Sequence, residues 1–258
     1  MSQVLQQLKL FKILLIGDSC IDIFKYGVCT RLSPEAPVPV FNYKHKICIE
    51  GMAGNVRNNL IPFGVTVDYI GSNSRTKKIR YVEQNSGYHL MREDVEFPTD
   101  RIRIDKIQHS IYDAVIISDY DKGFLTKDDV DYILSIFNCP IFVDSKKTDL
   151  SCYENCIIKI NEKEFQRTEK LPRNCELIVT LGSLGARFNN EIIPSYPVQA
   201  FDVSGAGDTF IASLVIKFLL TNNLRDSIKF ANFCSSRVVQ KIGTSAIQIE
   251  EVYNELCL

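Results

Sequence analysis

No stretch of this sequence reaches the roughly 20 consecutive apolar residues that a membrane-spanning helix needs; the best candidate, Ile211 to Leu220, is interrupted by Lys217. Net charge is equally scarce. Thirty Lys+Arg against 31 Asp+Glu leave −1, which argues against general binding to nucleic acid or to a membrane surface and leaves room only for a local basic pocket. Histidine is confined to His45, His89 and His109, none at zinc-ligand spacing, and the nine cysteines are odd in number and form no C-x-x-C pair. A zinc or disulfide scaffold is therefore not expected; free thiols in a reducing cytoplasm are. The opening residues, MSQVLQQLKLFKILLIGD, show no small-residue cleavage site and run straight into a strand-like segment. No signal peptide is read there, and a cytoplasmic location is expected. Repeats and low-complexity tracts are missing too, and only Gln166 to Asn174, polar with Pro172, reads as a loose connector.

What is present suits one globular domain over residues 1–258: 45% of them are hydrophobic and 24% charged. KILLI (12–16) is a short apolar run ending in Gly17-Asp18, a buried strand with polar groups at its C-terminal end. Val38 to Ile49 and Ile79 to Met91 alternate and are more polar, as strands of a partly exposed sheet would be; Pro34, Pro37 and Pro39 punctuate the approach to the first. From Tyr112 the rhythm changes. DAVIISDY (113–120), IFVD (141–144), CIIKIN (156–161) and LIVTLG (177–182) read as buried strands, and Lys127 to Phe137, Gly207 to Leu220 and Leu224 to Val239 as helices. Short apolar strands alternating with helices predict a parallel α/β sheet covered on both faces. Functional groups then belong just past the strand C-termini, where Asp18, Asp119, Asp144, Asn161 and Gly182 fall.

The sharpest motif is DVSGAGDTF (202–210). Gly205, Ala206 and Gly207 form a small-residue loop opening a helix, where unpaired backbone N–H groups and the positive dipole end suit a phosphate or the charge that develops as one is transferred. Asp208 at its mouth can take a proton from an attacking hydroxyl. Asp208 as a plain helix-capping residue is the competing account of a bare G-x-G-D. Neither a GxxxxGK[ST] nor a GxGxxG string occurs.

The whole nine-residue string resembles the signature of the ribokinase (PfkB) family of sugar kinases. The likeness extends over nearly the whole chain. GDSCIDIFKYGVCTRLSPEAPVPVF (17–41) resembles the opening of the heptose 7-phosphate kinase domain of ADP-heptose synthase, as do SDYDKG (118–123), DSKKTD (144–149), TKKIRY (76–81), LMRED (90–94) and GTS (243–245). Asn161 and Glu164 match the family's N-x-x-E. The resemblance implies a ribokinase-like three-layer α/β/α sandwich with a small β-sheet lid, formed by about 38–50 and 76–93. It implies ATP and Mg²⁺, a monovalent cation (K⁺) near the C-terminal loop that carries Gly243, a sugar-phosphate substrate, and a homodimer through the lid. No nucleotidyltransferase domain and no HxGH string are read.

Roles follow residue by residue from that resemblance. Asp208 would be the base, with Gly205, Ala206 and Gly207 around the transferring phosphoryl. Asp22, placed by the pattern in a short turn after the first strand, would accept two sugar hydroxyls; a solvated turn residue is the alternative. Gly51 and Asn55 match G-G-A-x-N, where glycine lets the backbone approach the sugar and asparagine bonds its hydroxyls; Asn55 as a helix N-cap is the alternative. Lys122 and Lys146 would bind a phosphate, with Asp202 also on the substrate side. Arg80 and Arg92 lie on the lid strands, where alternation could turn one toward the sugar phosphate. Asn161 and Glu164 would organise Mg²⁺, partly through water, or else form a surface charge cluster. Thr180, Gly182, Gly185, Asn232 and Gly243 would line the nucleotide site; a tight turn before a hairpin at Asn189-Asn190 accounts for the two glycines equally.

Four features depart from the pattern: Met52 replaces the second glycine of G-G-A-x-N, DSKK stands for D-P-K-G, Gly71 to Ser74 runs almost directly into Thr76, where relatives carry a further helix-strand-helix stretch, and the segment between Glu164 and Leu177 is short. The function expected is phosphoryl transfer from ATP to D-glycero-β-D-manno-heptose 7-phosphate. A PfkB-family kinase for another sugar or nucleoside, and a sugar- or nucleotide-binding protein without turnover, stay open.

Overall fold

A computed structural model describes residues 3–257 except 74, 108–110, 242 and 244. The elements in chain order are α1 (Gln3–Leu8), β1 (Lys12–Gly17), β2 (Ser19–Leu32), β3 (Pro39–Met52), α2 (Ala53–Leu60), β4 (Thr66–Gly71), β5 (Lys77–Glu83), β6 (His89–Val95), β7 (Ala114–Asp119), α3 (Lys127–Ile136), β8 (Ile141–Ser145), β9 (Ile157–Asn161), α4 (Glu162–Arg167), β10 (Glu176–Thr180), β11 (Ala186–Phe188), β12 (Glu191–Ile193), α5 (Ala206–Thr221), α6 (Leu224–Val238) and α7 (Ile249–Cys257).

Eight strands form one sheet in the order β12-β11-β10-β9-β8-β7-β1-β4. From β10 to β4 the neighbours run parallel; β11 and β12 are antiparallel. Successive side chains of β1 go to opposite faces. Ile13 and Leu15 enter a core with α2, α5, α6 and α7, while Leu14 and Ile16 enter a second core with α3. This three-layer arrangement explains why the central strands read as continuous apolar runs. Asn189 and Asn190, at φ 47° and 63°, turn β11 into β12 as a two-residue hairpin requires.

The second sheet has the order β3-β2-β5-β6. It contains the two lid segments marked by sequence and adds β2, which starts one residue after β1 ends. Asp22 therefore lies within a lid strand, not in a turn. The short alternation of polar and apolar residues across Ser19–Leu32 continues the ladder directly, because pairing with β3 and β5 leaves no room for a loop. Apolar side chains stay exposed on this sheet, among them Tyr43, Ile47 and Met91. β4 forms the free edge of the large sheet, at the point where the chain passes through 72–76 into β5.

No helix among the described residues is long and apolar enough to cross a membrane.

Candidate active site

Gly205 is the N-cap of α5, in the left-handed conformation at φ 81°. The helix then begins with Ala206, Gly207 and Asp208, whose N–H groups have no intrahelical acceptor; that of Ala206 is taken by the carbonyl of Val203 at 3.3 Å, leaving those of Gly207 and Asp208 for an incoming anion. Gly207 is set against a buried cation. A Cβ at that position would stand 2.8 Å from Lys159 Nζ, so a side chain there would displace the lysine.

Asp208 is buried, and each carboxylate oxygen has a donor. Asn55 Nδ2 donates to Oδ2 and the Tyr120 hydroxyl to Oδ1, both at 2.8 Å. Asn55 and Asp208 are 153 residues apart in the chain. Their meeting is fixed one turn further along, where Asn59 accepts from the Thr209 hydroxyl at 2.9 Å and pins α2 to α5. Burial raises the Asp208 carboxyl above its usual range; Asn55 and Tyr120 oppose the shift and nearby Asp144 adds to it. The result is a carboxylate of increased basicity beside a turn of free N–H groups.

Behind the turn lies a buried chain of charge. Lys159 Nζ is 2.7 Å from Asp144 Oδ2, Lys146 Nζ is 3.0 Å from Asp144 Oδ1, and Lys146 also reaches Glu164 Oε1 at 2.7 Å. Burial alone would raise the Asp144 carboxyl, but the two lysines outweigh it and hold it below its usual value. Asp144 and Glu164 hold Lys146 charged against the cost of its burial. Two positive charges thus converge at the base of α5.

Asn161 and Glu164 form a capping box: the Asn161 side chain accepts from Glu164 N at 2.9 Å, and Glu164 Oε2 accepts from Asn161 N at 2.7 Å. With its other oxygen on Lys146, Glu164 is already engaged. Among the described residues no group of three or more His, Cys, Asp or Glu could hold a metal. One amide oxygen and one committed carboxylate suit only a Mg²⁺ that keeps most of its shell from phosphates and water.

A cleft of about 600 Å³ lies on the same side of α5 and is lined by Thr180, Gly182, Gly185, Ala206, Gly207 and Asn232, together with Tyr196 and Val198. Four residues expected around the nucleotide and two of the phosphate loop therefore share one wall. Asn232 spends its amide on the carbonyls of Ile193 and Pro194, at 2.9 and 3.2 Å, and so shapes the cleft through β12. Gly243 N donates to Asp202 Oδ2 at 3.1 Å. The G-T-S string itself includes position 244, outside the described residues.

On the lid side, Asp22 is buried and paired with Arg80 at 2.5 Å. Gly51 is essential to that placement, since a Cβ there would lie 2.2 Å from Asp22 Oδ2. Arg80 and Arg92 are directly opposed across β5 and β6, so they share a face and are not separated by alternation. Arg80 is buried; Arg92, at the sheet edge, is half exposed and paired with Asp94. Lys122 pairs with Glu96 at 2.7 Å. Asn55 lies inside α2 and not at its cap, which is Met52.

Tyr120, Lys159 and Asn59 were not singled out by sequence reasoning. Lys159 had one signal: a lone charge in the apolar run CIIKIN, on a strand buried on both faces.

Residues 156–251 match the model of the pfkB family carbohydrate kinases. Across 93% of its length the chain is 32% identical to the bifunctional protein HldE of a Nitratiruptor species and spans 64% of that protein. It is 33% identical to the bifunctional protein HldE of Aliarcobacter butzleri, spanning 63%. The chain thus covers less than two thirds of these relatives' length. The alignments run over 298 and 303 positions against 258 residues here, so the relatives carry segments that this chain lacks. In structure it is similar to ribokinase from Thermotoga maritima (TM-score 0.69, 16% identity, 96% of this chain and 100% of that one). It is also similar to phosphofructokinase-2 from Escherichia coli in complex with potassium (TM-score 0.71, 15% identity, 96% and 98%). The fold is ribokinase-like, and residues 156–251 are similar to the pfkB family carbohydrate kinases.

Proposed function

We propose that this protein transfers the γ-phosphoryl of ATP to a sugar phosphate, with D-glycero-β-D-manno-heptose 7-phosphate accepting at O1 to give the 1,7-bisphosphate and ADP. The observation that carries the reading is Asp208, held by Asn55 and Tyr120 at the mouth of a helix turn backed by Lys159. The acceptor hydroxyl gives its proton to Asp208 as its oxygen bonds to the γ-phosphorus; the bond to the β-γ bridging oxygen breaks and ADP departs. The N–H groups of Gly207 and Asp208, with Lys159, meet the charge on the transferring oxygens. Asp22 and Asn55 orient the sugar, and the cleft beside Asn232 takes the nucleoside. Mg²⁺, carried on the nucleotide and steadied by Asn161 and Glu164 through water, would neutralise phosphate charge.

The HldE relatives support the heptose acceptor. A K⁺ site near Asp202 belongs to the same reading, supported by the potassium-bound phosphofructokinase-2 of like fold. So do a homodimer through the lid, supported by its exposed apolar residues, and a cytoplasmic location. A second reading, another sugar or nucleoside as acceptor, is favoured by Met52. This residue is buried at φ 55°, ψ −129°, a conformation natural to glycine and strained by about 1–3 kcal/mol in other residues, and it narrows the ground beside Gly51.

ADP release from Mg-ATP with heptose 7-phosphate, fructose 6-phosphate, ribose and adenosine tests both. Turnover on the heptose phosphate alone is expected, falling about 10²–10⁴-fold in Asp208→Asn. Turnover only on another acceptor would overturn the heptose assignment and keep the kinase; silence with ATP still bound would favour binding without catalysis. Dependence on K⁺ is read in the same assay.

A further inference from the structure

We propose that Tyr120 is a positioning residue for Asp208, holding the carboxylate in the plane and ionisation state from which it takes the acceptor's proton; this rests on the kinase reading above. The tyrosine is held at three places. Its backbone N–H donates to Asp18 Oδ2 at 2.7 Å. Its ring carries two cations, Lys78 Nζ from the lid at 5.1 Å and Lys146 Nζ from the core at 5.3 Å from the centroid. Its hydroxyl meets Asp208 Oδ1 at 2.8 Å. Backbone, ring and hydroxyl therefore leave the side chain little freedom.

Two donors on two different oxygens do what one cannot. With Asn55 alone, the carboxylate could turn about its Cβ–Cγ bond. With Asn55 on Oδ2 and Tyr120 on Oδ1 its plane is set, and each oxygen keeps a second lone pair for the acceptor hydroxyl. Toward the ionised Asp208 the phenol is the donor, because burial, with Asp208 and Asp144 close by, holds its own ionisation well above the ordinary tyrosine range and keeps its proton in place. A donor favours the charged carboxylate, so Tyr120 works against the burial that raises Asp208. The other charged or titratable groups around the Asp208–Tyr120 pair are Asp144 from β8, Lys159 from β9 and Cys20 from the lid near Asp208, and Lys146 and Lys78 over the Tyr120 ring.

Tyr120→Phe in the full chain removes only the hydroxyl and leaves the ring under both lysines. The expected result is a fall in kcat of about tenfold with both KM values within about twofold. The acidic limb of the kcat–pH profile should move to higher pH by up to about one unit, because without the donor Asp208 holds its proton more tightly. A ¹³C-carboxyl NMR titration, with the Asp208 signal assigned by its loss in Asp208→Asn, should show the same upward shift and does not depend on turnover. Should Tyr120→Phe fold poorly, 3-fluorotyrosine at position 120 gives a stronger donor, and both the limb and the titration should move to lower pH. An unshifted Asp208 titration overturns the proposal, whether kcat falls or not, since a fall alone would reflect packing. If the unaltered protein turns over no acceptor, the kinase reading fails while the titration still decides whether Tyr120 sets the state of Asp208.

Discussion

β7 is buried at every position, whereas β3 is exposed or half-buried at all but its last two residues. The large sheet is packed between two cores and has no face left to move. The small sheet is held by its ladders, by α2 at its base and by a buried ion pair, Asp22–Arg80. In the proposed reading each sheet contributes half of the site: Asp208 and the turn at Gly205–Gly207 belong with the first, Asp22 with the second. An enzyme that closes on its substrate would use this division, because water excluded at closure re-enters at release through the more weakly packed half.

The contrast can be broken by substitution. Lys159→Met leaves Asp144 buried with one cation in place of two, and removing a partner from a buried pair costs about 3 kcal/mol or more. A fall in melting temperature of about 6–12 °C is expected, read by calorimetry; a drop no larger than that of a lid variant would erase the difference between the sheets. Asp18, at the junction of the two, comes next. Burial first, and then Asp119, raises its pKa to about 6. Between about 4, its value when unfolded, and 6, the native state holds a proton that the unfolded chain has released. Stability therefore declines as pH rises through that window and stays lower above it. Asp18→Asn should flatten the decline and raise stability at pH 7.5 by about 1–2 kcal/mol, measured as unfolding midpoints across pH. Arg80→Met should cost only about 1 kcal/mol, because the lid can open and hydrate Asp22, while the acceptor KM rises about tenfold with the ATP KM unchanged. Smallest is Ile47→Ser on the exposed lid, expected within about 0.5 kcal/mol of the parent. Sedimentation should nonetheless show a weakened dimer if the lid is where two copies meet.

Legibility followed the same divide. Strands of the large sheet announced themselves as apolar runs because both faces are covered, and α5 because a small-residue loop precedes it. β2 was hidden, since a strand with one wet face alternates polar and apolar residues much as a turn-rich segment does. β4, TVDYIG, was overlooked as a short, half-polar edge. At the site, local strings marked Asp208, Asn161, Glu164 and Gly51. They did not show that Asn161 and Glu164 cap a helix, that Arg80 and Arg92 share a face, or that Asn55 and Tyr120 converge on one carboxylate. The last of these depends on partners 88 and 153 residues apart, where periodicity carries no information.

A single residue, Asp18, separates β1 from the 14-residue β2. Mechanically this makes the lid a long lever on a short pivot. At about 3.3 Å per residue β2 extends about 45 Å, so a tilt of about ten degrees at Asp18 carries its tip about 8 Å while Asp22, near the pivot, travels only about 2 Å. The tip of the lid can thus swing wide while Asp22 stays almost in register with Asp208, and whatever grips the far end of the lid, a second copy included, acts on Asp22 with mechanical advantage.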